Sequence, residues 1–162
     1  MYRAAVITAS DSGYAGWRED RSGPVVRELA EKAGYRVVRS DLLPDDREKL
    51  AALMAEICDG DQADLILTTG GTGFSPRDCT PEATNDVIER PVPGIPEAMR
   101  WYSLQITPRA ALSRAAAGIR GRTLIVNLPG SPKAASECLE AVLPALAHGL
   151  AILRGEAENC AR

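Results

Sequence analysis

The sequence predicts a single α/β domain: a three-layer α/β/α sandwich with a mostly parallel central sheet. Short apolar runs alternate with segments whose apolar residues recur every three or four positions, the order that builds parallel sheets covered on both faces. The runs are of the fully buried type, as in Leu65-Ile66-Leu67 and Leu124-Ile125-Val126-Asn127-Leu128. A chain of 162 residues, 45% hydrophobic and 25% charged, suits one core without staples. It contains no internal repeat, low-complexity tract or interdomain linker, so residues 1–162 read as one domain.

Arg3 to Ala9 is the first strand, stopping at Ser10-Asp11-Ser12-Gly13. Pro24 to Ala33 has helical spacing and is ended by Gly34 as a C′ glycine. Tyr35 to Ser40 is the second strand, with Val37 and Val38, and Leu42-Leu43-Pro44-Asp45-Asp46 reads as a loop carrying an N-cap. Arg47 to Cys58 places Leu50, Leu53, Met54 and Ile57 on one helix face, and Asp64 to Thr69 is the third strand. Thr80-Pro81-Glu82 opens a helix to about Glu89, with threonine as N-cap and proline first. Pro91-Val92-Pro93-Gly94 breaks it, and Pro96 to Gln105 is a further helix with Met99, Trp101, Tyr102 and Leu104 available for packing or a subunit contact. Ser113–Ile119 and Thr123–Leu128 flank Arg120-Gly121-Arg122 as a hairpin, and a last helix runs from Ala134 to Leu153.

Net charge is −3, which supplies no global basic surface for nucleic acid. Cysteines at 58, 79, 138 and 160 form no C-x-x-C pair, and His148 is the sole histidine, so zinc-site spacing fails and the thiols read as reduced and scattered. No signal-peptide stretch follows Met1, and no run approaches the ~18 apolar residues of a membrane span. The expectation is a cytoplasmic protein without membrane partners.

The chemistry concentrates in Leu67-Thr68-Thr69-Gly70-Gly71-Thr72-Gly73-Phe74-Ser75-Pro76-Arg77-Asp78-Cys79-Thr80-Pro81, a glycine-rich turn between a strand and a helix. Glycines at 70, 71 and 73 allow positive φ and bring backbone N–H groups close to an anion. Thr68, Thr69, Thr72, Ser75 and Thr80 add hydroxyl donors, Arg77 a cation and Asp78 a metal-type carboxylate. The segment lacks both the Gly-Lys-Ser/Thr ending of a phosphate-binding loop and the G-x-G-x-x-G register of a dinucleotide fold. An anion site and an ordinary turn-rich connection both fit these residues. Pro129-Gly130-Ser131-Pro132-Lys133 is a second glycine turn ahead of a helix N-terminus, where orphan N–H groups favour an anion; a plain capped joint fits it equally. The turns at Ser10, Asp45 and Gly70 all follow strands, and in parallel sheets ligands sit beyond the carboxyl strand ends.

Thr69-Gly70-Gly71-Thr72-Gly73, Arg77-Asp78, Thr80-Pro81-Glu82-Ala83-Thr84, Pro44-Asp45-Asp46, Leu112-Ser113-Arg114, Gly118-Ile119-Arg120-Gly121 and Asn127-Leu128-Pro129-Gly130-Ser131-Pro132 together resemble the MogA/MoaB family of molybdenum-cofactor biosynthesis. The resemblance covers essentially the whole chain and extends to the gephyrin G domain. It implies a Mg²⁺-dependent adenylyl transfer in which molybdopterin attacks the α-phosphorus of ATP and pyrophosphate leaves. Asp45 and Asp78 match the family's two catalytic aspartates and suit Mg²⁺, which takes one or two carboxylates. Asp45 as metal ligand or as base toward the pterin phosphate stays open, and the residues alone also allow Asp45 as a helix cap and Asp78 as a partner of Arg77.

The resemblance further implies that Ser113 contacts molybdopterin, and that Ser10, Asp11, Thr69, Gly70, Gly71, Thr72, Gly73, Arg77, Pro129, Gly130 and Ser131 line the substrate sites. Arg77 pairs with phosphate or orients Asp78, and Lys133 neutralises phosphate or is simply solvated. Cys79 is read as packing and His148 as structural. The family implies a homotrimer, with residues 91–105 in the contact, and the molybdate-inserting enzyme of the same pathway as a partner. A non-catalytic molybdopterin carrier and a scaffold of the same fold are the alternatives; retention of both aspartates and both glycine turns favours the enzyme.

Overall fold

The computed structural model describes residues 1–157. Its six strands are β1 (Arg3–Ala9), β2 (Arg36–Leu43), β3 (Leu65–Thr69), β4 (Arg90–Pro91), β5 (Ala117–Arg120) and β6 (Thr123–Leu128), joined in one sheet of order β2-β1-β3-β6-β5-β4. The pairings of β1 with β2, β1 with β3 and β3 with β6 are parallel. The edge formed by β5 and β4 is antiparallel. The helices are α1 (Asp11–Tyr14), α2 (Ser22–Lys32), α3 (Arg47–Asp59), α4 (Thr80–Val87), α5 (Gly94–Leu104) and α6 (Pro132–Leu153), with a 3₁₀ turn at Pro108–Leu112.

Strand periodicity sorts the core into two layers. Ala4, Val6, Leu65, Leu67, Leu124, Val126 and Leu128 face α2, α5 and α6, whereas Ala5, Ile7, Ile66 and Ile125 face α3 and α4. The expected three-layer sandwich is therefore the observed one. α6 has the length and apolar content of a membrane span. In the domain it buries Ala135, Cys138, Leu139, Val142, Leu146 and Leu150 in the first of these layers. Cys58 and Cys138 are buried and Cys79 partly so, all as free thiols, and His148 is exposed on α6; Cys160 lies outside the described residues.

Several boundaries differ from the sequence reading. β2 continues through Leu42 and Leu43, read as loop, because these residues pair with Thr8 and Ala9 of the neighbouring parallel strand. α2 starts two residues early, at Ser22, since the Asp20 carboxylate accepts the Gly23 amide at 3.0 Å and the Thr8 hydroxyl at 2.9 Å. The hairpin's first strand begins only at Ala117. Ahead of it, the Arg114 amide donates to the Thr72 carbonyl, and the Ala116 amide donates to the Asn127 side chain at 3.1 Å. Thr80 does not cap α4; its hydroxyl donates to the Gly70 carbonyl at 2.9 Å.

Candidate active site

The turns after β1, β2, β3 and β6 collect at the carboxyl edge of the sheet, and each is held by named contacts. Asp11 and Asp45 exchange hydrogen bonds: the Asp11 amide donates to Asp45 Oδ2 at 3.0 Å, and the Asp45 amide donates to Asp11 Oδ1 at 3.0 Å. Arg77 then grips Asp11 with two bonds, from Nε at 2.9 Å and Nη2 at 3.1 Å. Its guanidinium holds the Asp11 carboxyl below the usual carboxylate range. Arg77 thus pairs with Asp11, where the sequence left phosphate or Asp78 as its partner. The cap of α3 is Asp46, whose carboxylate accepts the Lys49 amide at 3.0 Å. Asp45 is therefore released from that role.

Asp45 Oδ1 is buried and has no hydrogen-bond partner among the described residues. Burial pushes the Asp45 carboxyl above its ordinary range, and the charges of Asp11 and Asp78 add to this, against the Asp11 amide and Arg77. Asp78 is anchored differently. Its Oδ2 accepts the amides of Gly73 and Ser75, each at 3.1 Å, so the carboxylate folds back over its own loop.

The glycine turns interlock. Gly70 has φ +93° and a Cβ there would strike the Ala9 carbonyl; Gly71 has φ +69° and a Cβ there would meet Thr80 Oγ1 and lie 3.0 Å from Asp45 Oδ1. Gly130 packs so closely that its Cβ would sit 3.1 Å from Gly70 Cα. The Thr69 hydroxyl donates to the Pro129 carbonyl at 2.7 Å, stitching the first turn to the second. Thr68, Thr69 and Thr80 are fully buried. The sequence offered their hydroxyls to an anion, yet all three are spent inside the protein.

Two clefts open around these turns. One, of about 710 Å³, is lined by Ser10, Asp11, Asp45, Gly70, Gly71, Ser75, Arg77, Asp78, Gly130 and Ser131. The other, of about 520 Å³, is lined by Thr72, Gly73, Ser113, Pro129, Ser131 and Lys133 over an apolar floor that includes Met99 and Leu112. Ser131 borders both, and its hydroxyl also caps α6 by accepting the Ala134 amide at 3.4 Å. Of the residues that the resemblance assigns to catalysis and substrate binding, only Thr69 lines neither. Cys79 packs against the α3/α4 layer, and burial together with the Asp45 charge pushes its thiol up, away from a nucleophilic thiolate.

The donor set tests the expected cation. Asp45 Oδ1 is buried without a protein partner, and Asp78 has its second oxygen to offer; no group of three His, Cys, Asp or Glu side chains gathers among the described residues. Two carboxylates and no third ligand fit Mg²⁺, which keeps water and phosphate oxygens in its remaining positions. Sequence reasoning missed Arg114, which was quoted within a motif but given no role, and Arg18, Arg100 and Arg109, which contribute cations to the cleft walls. It also missed Asp20, which sets the start of α2. Arg114 ties together positions 32 to 41 residues away, which no local spacing announces.

The chain is a three-layer α/β/α protein whose candidate site, two interlocked glycine turns and two carboxylates lining one cleft, lies beyond the carboxyl ends of its parallel strands, where such sheets bind ligands. Residues 5–148 match a family described as "Probable molybdopterin binding domain", and the chain belongs to that family. It is 42% identical over 152 residues to a molybdopterin adenylyltransferase of Helicobacter pylori, covering 93% of this chain and 86% of that protein. It is 40% identical over 164 residues to gephyrin of Dictyostelium discoideum, covering 95% of this chain but 23% of that much longer protein. In structure it is similar to the molybdopterin biosynthesis enzyme MoaB of Thermus thermophilus, with a TM-score of 0.91, 48% identity, and coverage of 96% of this chain and 98% of that one.

Proposed function

We propose that this protein is a molybdopterin adenylyltransferase: it uses Mg-ATP to place AMP on the terminal phosphate of molybdopterin and releases pyrophosphate. The observation that carries the reading is the carboxylate pair, Asp45 with a buried unpartnered oxygen and Asp78 with one oxygen left to offer, set between interlocked glycine turns. The 42% identity to an adenylyltransferase names the chemistry. In the transfer a terminal phosphate oxygen of molybdopterin attacks the α-phosphorus of ATP in line. The bond from that phosphorus to the oxygen bridging to the β-phosphate breaks, and the pair of electrons leaves on pyrophosphate.

The cleft around Asp45, Asp78, Gly70, Gly71 and Gly130 receives ATP, and the cleft with Ser113 and Lys133 over Met99 and Leu112 receives the pterin, whose flat ring suits an apolar floor. Asp45 and Asp78 would hold the cation, which would neutralise the phosphate charge that develops during transfer. The protein's own part is positioning. Asp11, itself gripped by Arg77, fixes Asp45, and Ser113 orients the pterin side. The product is adenylylated molybdopterin, consumed by the molybdate-inserting enzyme, and a cytoplasmic setting belongs to the same reading. Trp101, Tyr102, Leu104 and Ile106 on and after α5 are exposed apolar side chains suited to a homotrimer contact.

The test is Asp78→Asn assayed for both binding and turnover. The expected outcome is molybdopterin affinity within about threefold of wild type and AMP transfer reduced about 100-fold or more. A wild type that binds molybdopterin with no AMP transfer would instead identify a carrier.

A further inference from the structure

Arg114 lines neither cleft, yet its guanidinium reaches both ends of the Asp78 loop. Nε donates to the Gly73 carbonyl at 2.7 Å, Nη2 donates to the Asp78 carbonyl at 3.0 Å, and Nη1 binds the Glu82 carboxylate at 2.5 and 3.1 Å. Its own amide donates to the Thr72 carbonyl at 2.9 Å. The loop from Gly73 to Asp78 is therefore clamped at both ends by one planar group and referred to α4 through Glu82. Within that loop the Asp78 carboxylate accepts the amides of Gly73 and Ser75. Gly73 thus gives its carbonyl to Arg114 and its amide to Asp78.

This arrangement has a directional logic. Each of the three guanidinium nitrogens bonds a protein acceptor, and Arg114 borders neither cleft. It acts on the backbone that decides where the Asp78 carboxylate points. We infer that Arg114 is a positioning residue for Asp78: it closes the 73–78 loop so that the loop's amides hold one carboxylate oxygen and leave the other facing the cleft. The inference builds on the adenylyl-transfer reading for its kinetic consequence, but the loop geometry stands without it. Ser113, adjacent in the chain, lines the second cleft, so the same two-residue segment braces both substrate walls.

Lysine retains the charge of Arg114 but offers a compact ammonium in place of a rigid fork, and it cannot bridge the Gly73 carbonyl, the Asp78 carbonyl and Glu82 together. Arg114→Lys is the informative variant, with Glu82→Gln as a milder second one that keeps an acceptor for Nη1. The first readout is amide hydrogen exchange, which needs no substrate. In Arg114→Lys the Gly73 and Ser75 amides are expected to exchange about tenfold or more faster than in wild type, with the β3 amides unchanged. Glu82→Gln is expected to shift the same two amides less. The second readout is kinetic: kcat for AMP transfer falls about 30-fold with both KM values within about threefold. In an Asp78→Asn background the same change costs less than about threefold, because a residue that acts through Asp78 has nothing left to position.

Unchanged exchange at Gly73 and Ser75, exchange already fast in wild type, loss of protection spread over β3, or additive kinetic losses with Asp78→Asn would each overturn the assignment. Absence of AMP transfer in the wild type would instead refute the adenylyltransferase reading, and the exchange result would still decide the role of Arg114.

Discussion

At the scale of single residues, the site stores unfavourable electrostatics at Asp45. The Asp45 carboxyl is pushed up by burial and by the charges of Asp11 and Asp78, so the folded state binds its proton more tightly than the unfolded chain does. Such a group favours folding below its unfolded pKa and opposes it as pH rises through the folded value. At neutral pH Asp45→Asn is therefore expected to raise the Tm of the ligand-free protein, by about 1–3 °C, while reducing AMP transfer about 100-fold; thermal unfolding beside a turnover assay checks both. Gly71→Ala has the opposite sign. Its φ of +69° disfavours any L side chain, and its Cβ would crowd Thr80 and Asp45, so urea unfolding should show a loss of about 2 kcal/mol. The candidate role of both aspartates comes from the family resemblance; taken alone, the residues leave Asp45 as a helix cap and Asp78 as a partner of Arg77 open. Arg114 was not legible, because its carbonyl acceptors are backbone atoms that any residue supplies.

At the scale of elements, Asn127 shows how a polar side chain organises strand and helix together. It is fully buried near the carboxyl end of β6; its Nδ2 donates to Thr68 of β3 at 3.0 Å and to Thr84 of α4 at 2.9 Å, and its Oδ1 accepts the Ala116 amide at 3.1 Å. Both polar atoms of the side chain are satisfied, and removing it strands two buried hydroxyls and the part-buried Ala116 amide. Asn127→Ala is expected to cost about 2–4 kcal/mol by denaturant unfolding and to loosen residues 113–116, which carry Ser113 and Arg114. These elements also mark where sequence reading stops. Apolar runs located β1, β3 and β6, since burial on both faces leaves an unbroken signature. The ends of β2 and β5 depended on partners far away in the chain: parallel pairing with Thr8 and Ala9 lengthens β2, and Asn127 removes the Ala116 amide from the β5 ladder. Thr80 looked like a cap by local rule, but the Gly70 carbonyl claims its hydroxyl.

At the scale of the whole molecule, the end of the sheet opposite the clefts is closed by charge. Asp64, buried at the start of β3, binds Arg154 beyond α6 at 2.7 Å and Arg3 of β1 at 2.9 Å. Burial pushes its carboxyl up, but the Arg3 hydrogen bonds and the charges of Arg154 and Arg3 outweigh it and leave the carboxyl below its usual range. A depressed acid stabilises the fold above its unfolded pKa and loses that contribution as pH falls through the folded value. Asp64→Asn should thus lower Tm at pH 7, and the gap to wild type should narrow below about pH 4. Fold class followed from the alternation of apolar runs and helical spacing, whereas the order β2-β1-β3-β6-β5-β4 required the long-range pairings themselves. The central claim is that the clefts join two substrates at the α-phosphorus of ATP. Incubation of the protein with molybdopterin, magnesium and ATP labelled at either the α- or the γ-phosphate tests this directly. For an adenylyl transfer, α-label alone appears on the pterin, in step with one pyrophosphate released per transfer; γ-label on the pterin, or bound molybdopterin with neither label transferred, would refute it.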